Sequence, residues 1–294
     1  MYDIESLYEP TSVADAVRAL ADDPKAMVIA GGTDVLVKLR DGKMGEGVHL
    51  VSVHELHDEL TGVTLAEDGT VEIGPVTVFH SITTDPIIQK TVPTLGDACD
   101  TPGGPQLRVS GTIGGNICNA ATSADSASTL FAYGALLDVR SARGTRTIPI
   151  EQWYTGPGKS VRERDEILVK IRIPKDHYEG FTGHYFKYGK RRALEIATMG
   201  CCCLVKLSPD KKVVDDIRLA FGVAAPTPMR ALNAEAAVRG LPVAEAAAKI
   251  GELAQADTHP RDSWRASKDF RLQLIKVMSE RSLVEAARKG GADI

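Results

Sequence analysis

The segment that sets the architecture of this chain is Ala30-Gly31-Gly32-Thr33-Asp34, which follows the apolar run Met27-Val28-Ile29. A second segment of the same kind, Gly111-Thr112-Ile113-Gly114-Gly115-Asn116, lies further along the chain. Each segment combines glycines with a hydroxyl and a short polar side chain, so consecutive backbone N–H groups can approach an anionic group closely. Two such segments, brought together by folding, are predicted to hold the two halves of a dinucleotide pyrophosphate.

The residues around the first glycine segment predict a small α/β lobe over residues 1–58. Thr11 or Ser12 can cap a helix, and Asp23-Pro24 ends it. The apolar face of this helix has helical spacing and consists of Val13, Ala16, Val17 and Leu20. Strands are predicted at 26–30 and 49–53, with a short helical turn between them that begins at Val35.

Residues 59–175 change to short strands separated by turns, with a helix at 125–133, and predict a second lobe. Within the strand at 167–173, Ile167, Val169, Ile171 and Ile173 share one face, which places Leu168 alone on the polar face. Two interpretations of Leu168 stay open: an ordinary surface leucine, or a flat apolar contact for a ligand.

The run Pro174-Lys175-Asp176-His177 predicts a boundary before a third region, residues 176–294. That region is predicted to hold strands at 197–207 and 217–223, followed by helices at 231–239, 243–256 and 267–289. The last helix is expected to bury Phe270, Leu274, Val277 and Met278. Together, the three regions indicate an α+β protein.

Composition excludes several classes of function. The chain has 294 residues, 43% of them hydrophobic, and a net charge of −4, which gives no electrostatic reason to expect a nucleic-acid partner. No apolar stretch approaches the roughly twenty residues of a membrane span, so none is expected. The first residues are acidic and lack the features of a signal peptide, which predicts a cytoplasmic location.

Neither the cysteines nor the histidines form a recognisable metal-ligand pattern. The five cysteines include the triplet Cys201-Cys202-Cys203, whose side chains would alternate between the faces of a strand, and no Cys-x-x-Cys occurs. We interpret them as buried thiols, with a redox role as the alternative for Cys118 alone. His54 and His57 lack a third ligand at a recognisable spacing, so no metal site is predicted.

Two further motifs have competing interpretations. The run 156–160, Gly-Pro-Gly-Lys-Ser, resembles the end of a phosphate-binding loop, but Trp153 stands where the pattern needs glycine, which disfavours a triphosphate site. No Gly-x-Gly-x-x-Gly follows a strand, so a Rossmann site is not supported. The basic cluster Lys190-Arg191-Arg192 is either a solvated charge run or a contact to an anionic cofactor or acidic partner.

Three segments in register resemble the FAD-binding subunit of the molybdenum hydroxylases. The segments are 30–34, 112–117 and 186–193, and the resemblance extends over nearly the whole chain. Within that family the chain is particularly similar to the separate FAD subunit of bacterial xanthine dehydrogenase, in the segments 104–108, 116–126, 220–228 and 263–268. The resemblance implies a two-lobed FAD-binding domain of the PCMH or vanillyl-alcohol-oxidase type. A C-terminal α+β domain like that of the CO dehydrogenase flavoprotein would follow.

The resemblance also implies which residues bind FAD. The first segment would supply amides to the pyrophosphate, and the second would bind the pyrophosphate from the opposite side. Asp125 would lie near the adenosine. Leu168 would pack on the flavin, and Lys187 would lie beside the flavin ring. The implied FAD-binding residues are Met27, Val28, Ile29, Ala30, Gly31, Gly32, Thr33, Asp34, Val35, Gly111, Thr112, Ile113, Gly114, Gly115, Asn116, Asp125, Leu168 and Lys187. No protein acid or base is predicted, because the redox chemistry belongs to the flavin. Some relatives place an aromatic residue just before the second segment, where this chain has Thr101-Pro102-Gly103-Gly104.

The function implied by the resemblance is electron transfer within a complex. A molybdenum-binding large subunit with a molybdopterin-type cofactor would oxidise a purine, and a small subunit would relay electrons through [2Fe-2S] clusters. FAD on this chain would then reduce NAD⁺, and a dimer of heterotrimers is expected. One alternative is a different molybdenum partner (carbon monoxide, nicotinate or aromatic thioester) with an acceptor such as quinone, and another is a docking subunit without cofactor.

Overall fold

A computed structural model describes residues 2–294 of the chain. The first part begins with a parallel three-stranded sheet in the order β1-β3-β2. Its elements are β1 (Ile4–Tyr8), α1 (Val13–Asp22), β2 (Ala26–Ile29), α2 (Val35–Arg40), β3 (Val48–Ser52) and α3 (His57–Leu60). Ser12 caps α1 by accepting from the Asp15 N–H at 3.1 Å, and the predicted apolar face of that helix is buried.

The second part has an antiparallel five-stranded sheet in the order β4-β5-β10-β6-β7 and a small β8-β9 hairpin. Its first elements are β4 (Val63–Leu65), β5 (Val71–Ile73), α4 (Phe79–Thr84), α5 (Pro86–Thr91), α6 (Pro93–Cys99), α7 (Pro105–Arg108), α8 (Ile113–Cys118) and α9 (Asp125–Ala132). They are followed by β6 (Leu136–Ser141), β7 (Gly144–Pro149), β8 (Tyr154–Gly156), β9 (Lys159–Ser160) and β10 (Ile167–Ile173).

The third part is an antiparallel sheet in the order β11-β12-β13-β14 with three helices. Its elements are β11 (Thr182–Tyr188), β12 (Met199–Leu207), β13 (Val214–Gly222), β14 (Met229–Arg230), α10 (Leu232–Val238), α11 (Val243–Asp257) and α12 (Lys268–Lys289). One face of this sheet packs on the core of the second part, and the other face packs on the three helices. The division at 58/59 and 175/176 stays a prediction.

The cysteine triplet in β12 shows that the two faces of the third sheet pack in two different hydrophobic cores. Cys201 and Cys203 lie in the core with the C-terminal helices, whereas Cys202 lies in the core of the second part. This is the alternation that a strand predicts. All five cysteines are free thiols.

The position of Leu168 differs from the predicted one because β10 contains a bulge. The pairing with β6 shifts register between Leu168 and Lys170, so Val169 is the extra residue. Leu168 then shares a core with Ile171, while Ile167 faces the first part of the molecule. The expected polar-face position of Leu168 is therefore wrong, and its side chain is only 4% exposed.

The buried face of α12 also differs from the predicted one. Leu274 and Met278 are buried as expected, but Phe270 is 41% exposed and packs edge-on against Tyr188, with ring centroids 5.7 Å apart. Val277 is only partly buried. The buried face is rotated because it includes small residues that fit closely against α11 and the sheet, among them Ser279, Ser282 and Ala286.

Candidate functional site

The two glycine segments meet in direct contact, at the wall of a cavity of about 430 Å³. A Cβ atom added to Gly31 would lie 1.8 Å from the carbonyl oxygen of Ser110 and 3.4 Å from the Cα of Gly111. Only glycine permits this approach, because any side chain at Gly31 would collide with backbone atoms. The cavity is within the size range of small-molecule sites. The predicted juxtaposition of the two segments is confirmed.

The first segment carries a row of unpaired backbone donors. Within residues 2–294, the N–H groups of Gly31, Gly32, Thr33 and Asp34 have no hydrogen-bond acceptor. Gly32 has a φ of +70°, which turns the chain between β2 and α2. Gly31, Gly32 and Thr33 are half-buried, and Asp34 is exposed at the cavity wall. Half-buried N–H groups normally find a partner, so this row of free donors beside a cavity fits an anionic ligand such as a pyrophosphate.

The second segment works differently from the prediction, because it is the first turn of α8 rather than a loop with free amides. The N–H groups of Ile113, Gly114 and Gly115 already donate, to Thr77 O at 3.1 Å, Pro75 O at 2.8 Å and the Thr112 hydroxyl at 3.0 Å. The expectation that consecutive N–H groups of this segment bind an anion is therefore wrong. Helix formation uses these donors within the fold.

The second segment instead contributes close approach and a side chain. Gly114 packs on Pro75, where an added Cβ would lie 2.4 Å from the Pro75 Cβ, and Gly115 faces the cavity. The Asn116 side-chain oxygen accepts from the Ser126 hydroxyl at 2.7 Å, which leaves the Asn116 amide N–H₂ as a donor beside the cavity.

A buried ion pair lies at one side of the cavity. Lys187 Nζ donates to Asp125 Oδ2 at 2.9 Å and to the Thr101 carbonyl at 3.0 Å, and the Tyr185 hydroxyl donates to Asp125 Oδ1 at 2.7 Å. Burial raises the pKa of the Asp125 carboxyl, while the Lys187 ammonium and the Tyr185 hydroxyl act in the opposite direction. The arrangement fixes the Lys187 ammonium beside Asp125, and Asp125 is the member of the pair that lines the cavity.

The ion pair bears on the roles that the resemblance implies for its two members. Asp125 was expected near the adenosine and Lys187 beside the flavin ring, which are opposite ends of an extended dinucleotide. Side chains that share a hydrogen bond of 2.9 Å cannot occupy both ends. The side chains of Asp125 and Lys187 therefore lie at one end of the site, and the role of each toward FAD stays a prediction.

A second polar group, which the sequence did not reveal, borders the same cavity. Its members are Lys38, Asn119, Arg162 and Glu166. Lys38 Nζ donates to the Asn119 side-chain oxygen, and the Arg162 Nε is buried with no partner within residues 2–294. Arg146 holds the pKa of Glu166 below its ordinary value through a bidentate contact at 2.7 and 2.8 Å. The available sequence signal was the position of Lys38, one helical turn after Asp34.

Fifteen of the eighteen predicted residues line the cavity. They are Met27, Val28, Ala30, Gly31, Gly32, Thr33, Asp34, Val35, Gly111, Thr112, Gly114, Gly115, Asn116, Asp125 and Leu168. Ile29, Ile113 and Lys187 are outside the lining: Ile113 is buried in the core, and Lys187 stands behind Asp125. The role of each residue toward FAD stays a prediction.

The lining also shows which aromatic and thiol groups reach the cavity. Phe79 is the one aromatic side chain among the described lining residues. Pro102 and Gly103, from the stretch where some relatives place an aromatic residue, also line the cavity. Cys118 lines the cavity too, and burial raises the pKa of its thiol. A thiol kept protonated is a poor nucleophile, which favours the interpretation of Cys118 as a packing residue.

The other motifs lie away from the cavity. The run 156–160 forms the turn and edge of the β8-β9 hairpin. His54 and His57 are exposed and contact each other edge-on at 5.7 Å. Across residues 2–294 no group of three His, Cys, Asp or Glu side chains is arranged to hold a metal ion, and no helix is long and apolar enough to cross a membrane.

Comparison with known proteins agrees with this architecture. The family model of the FAD binding domain in molybdopterin dehydrogenase matches residues 2–176, and that of the CO dehydrogenase flavoprotein C-terminal domain matches residues 184–286. The chain is 43% identical over 295 residues to the xanthine dehydrogenase FAD-binding subunit of Escherichia coli O157:H7, covering all of both chains. It is 30% identical to the carbon monoxide dehydrogenase medium chain of Hydrogenophaga pseudoflava, covering 94% of each.

A solved structure shows the same fold. Carbon monoxide dehydrogenase from Hydrogenophaga pseudoflava superposes with a TM-score of 0.91 at 29% identity, covering 99% of each chain. The predicted fold class, a two-lobed FAD-binding domain with a C-terminal α+β domain, is confirmed. This chain therefore belongs to the family of FAD-binding flavoprotein subunits of the molybdenum hydroxylases.

Proposed function

We propose that this chain is the electron-transfer subunit of a heteromeric xanthine dehydrogenase, taking electrons from [2Fe-2S] clusters and passing them to NAD⁺. The observation that carries the proposal is the pairing of two glycine segments around a cavity with four free amides, in a chain 43% identical to a xanthine dehydrogenase FAD-binding subunit. When bound, FAD supplies the ability to take up electrons and to donate a hydride.

The residues around the cavity support a definite orientation of the cofactor. The free amides of residues 31–34 would bind the pyrophosphate, and the Asn116 amide would approach it from α8. We place the flavin ring near Lys187. The Lys187 ammonium donates to the Thr101 carbonyl, and the chain after Thr101 forms part of the apolar cavity lining, with Pro102 and Leu107. The adenosine would then lie toward Lys38, which borders the same cavity.

The partner subunits would supply what this chain lacks. A large subunit would carry the molybdopterin-type cofactor, and a small subunit the [2Fe-2S] clusters, because none of the described residues forms a metal or cluster ligand set. Two heterotrimers would associate into a dimer. A cytoplasmic location stays a prediction.

The proposal is tested by adding NADH to the purified FAD-loaded chain without its partners. NADH should bleach the flavin absorbance, and xanthine should bleach it only when the partner subunits are present. A chain that cannot be loaded with FAD, or a loaded chain that ignores NADH, would contradict the proposal.

A different molybdenum partner is the second candidate, and the 30% identity to a carbon monoxide dehydrogenase medium chain favours it. In that case the flavin would be reduced through the complex by another substrate and reoxidised by an acceptor such as quinone. A flavin that bleaches with the complex's substrate but never with NADH would support this candidate. A docking subunit without cofactor is disfavoured, because the free amides of residues 31–34 are retained.

A further inference from the structure

A basic surface with one exposed indole lies beside the mouth of the cavity and is not used by the function described above. It consists of residues 189–196 and 260–271, which we call the basic rim. Glu195 and Ile196 of the first segment line the cavity, and Lys190 of the same segment reaches Trp264 of the second, with Nζ 5.7 Å from the ring centroid. The basic rim therefore runs continuously from the cavity outward.

The charge of the basic rim is opposite to that of the chain as a whole. It carries seven cationic and three acidic side chains, whereas the net charge of the chain is −4. The cationic members are Lys190, Arg191, Arg192, Arg261, Arg265, Lys268 and Arg271. Among residues 2–294, Arg191 alone of these seven has a carboxylate within 4.0 Å, which is Glu195 at 2.9 Å.

One of these arginines, Arg271, is buried, and the half-buried Arg265 also has a buried donor without a partner within residues 2–294. Arg271 is 2% exposed, and among the described residues 2–294 its guanidinium donates only to the Thr198 carbonyl and to the Ser263 hydroxyl. The Nε atoms of Arg265 and Arg271 are buried without a partner within residues 2–294. Burial, followed by the charges of Arg261 and Arg265, lowers the pKa of Arg271, and the Asp262 carboxylate opposes this only in part. Buried charges are normally paired, so the compensating negative charge is expected from outside this part of the chain.

The exposed side chain of Trp264 indicates what kind of anion fits. It is 79% exposed, with the Arg265 guanidinium 4.3 Å from its ring centroid. An aromatic ring flanked by cations can contact a nucleobase and a phosphate at once. The acceptor dinucleotide proposed above has both groups, and its other half must reach the cavity.

We propose that the basic rim binds the ADP half of the nicotinamide acceptor, with Lys190 and Arg265 contacting its phosphates and Trp264 its base. This inference rests on the proposed NAD⁺-reducing function. It assigns the acceptor to the side of the cavity that carries Glu195 and Ile196. The binding should weaken with increasing salt, because the contacts are charged and solvent-accessible.

The test uses the FAD-loaded chain and ADP as the probe, with tryptophan fluorescence as the signal. The chain has two tryptophans, and Trp153 is fully buried, so quenching by neutral acrylamide reports on Trp264. ADP should protect Trp264 in a saturable manner that inorganic phosphate at the same concentration does not reproduce. Lys190→Gln and Arg265→Gln should each weaken ADP about fivefold, as expected for an exposed ion pair. Arg140→Gln, which removes an exposed arginine elsewhere, should not weaken it.

The outcomes separate this inference from the proposed function. If ADP gives no protection, or Arg140→Gln weakens it as much as Arg265→Gln, the inference is wrong. It is also wrong if only an added partner subunit protects Trp264, because the basic rim would then be a protein interface. NADH that bleaches the flavin with an unchanged KM in Arg265→Gln would overturn the inference and leave the proposed function intact. Saturable ADP protection without bleaching by NADH would support the nucleotide site and contradict NAD⁺ reduction.

Discussion

Replacing Gly31 by alanine tests the contact between the two glycine segments. The added Cβ would lie 1.8 Å from the Ser110 carbonyl oxygen, and real Cβ contacts below 3.0 Å essentially never occur. The segments must therefore separate by at least about 1.2 Å, and neither side of the contact is a flexible side chain that could rotate away. The apoprotein can relax by opening the cavity, whereas the bound form requires both segments close to the ligand.

The expected loss of FAD affinity follows from this strain. Inserting a methyl group into a close-packed contact costs about 1–3 kcal/mol. If that cost falls on the bound form, the dissociation constant for FAD rises roughly five- to 150-fold. Titrating the apoprotein with FAD and following the quenching of flavin fluorescence measures this constant directly.

A matched control separates the specific clash from a general effect of losing glycine. A Cβ atom added to Gly156 would have no atom within 4 Å, and the φ of Gly156 is not positive, so Gly156→Ala should bind FAD like the wild type. Urea unfolding of both apoproteins shows whether either change damages the fold itself. If Gly31→Ala bound FAD within twofold of the wild type, the proposed role of this contact would be refuted.

Three further changes test other parts of the site. Lys187→Met should destabilise the protein by about 3 kcal/mol, because it leaves the Asp125 carboxylate buried without its cation. In urea unfolding, adding Asp125→Asn to Lys187→Met should recover much of the lost free energy of unfolding. If the losses of the two substitutions were additive, the stabilising ion pair between Lys187 and Asp125 would be refuted. Thr112→Val removes the side-chain cap of α8 and should lower the free energy of unfolding by about 1 kcal/mol, which would be measured as a lower unfolding temperature. An unchanged unfolding temperature would show that the cap contributes nothing. Because Arg146 lowers the pKa of Glu166 in the folded state, the contribution of this pair is present above the ordinary Glu pKa of 4.5 and is lost as the pH falls below it. Arg146→Gln should therefore show a flatter stability profile than the wild type from pH 6 to about pH 3, and identical profiles would contradict the assignment.

The elements that the sequence predicted well are those whose periodicity is strong within one segment. Helix α1 was predicted with its complete apolar face, because four buried residues at helical spacing follow a good N-cap. Strands β12 and β13 were predicted because their apolar runs are long and bounded by turn residues. Strand β1 was missed, since all five of its residues are exposed and its identity depends on pairing with β3.

The candidate site was predictable in its residue types but not in its hydrogen bonds. Glycine content marked both segments, but whether their amides are free depends on Pro75 and Thr77, which approach the second segment only in the folded chain. The bulge at Val169 and the ion pair between Asp125 and Lys187 are likewise products of tertiary pairing. Neither leaves a periodic signal in the sequence.

Hydrogen–deuterium exchange of individual backbone amides, with and without FAD, tests whether the two glycine segments hold one diphosphate as described. The N–H groups of residues 31–34 should exchange rapidly in the apoprotein and be protected in the FAD-loaded protein, because they gain acceptors only from the ligand. The N–H groups of Ile113, Gly114 and Gly115 should change little, since they already donate within the fold. Unchanged exchange at residues 31–34 on saturation with FAD would contradict the account.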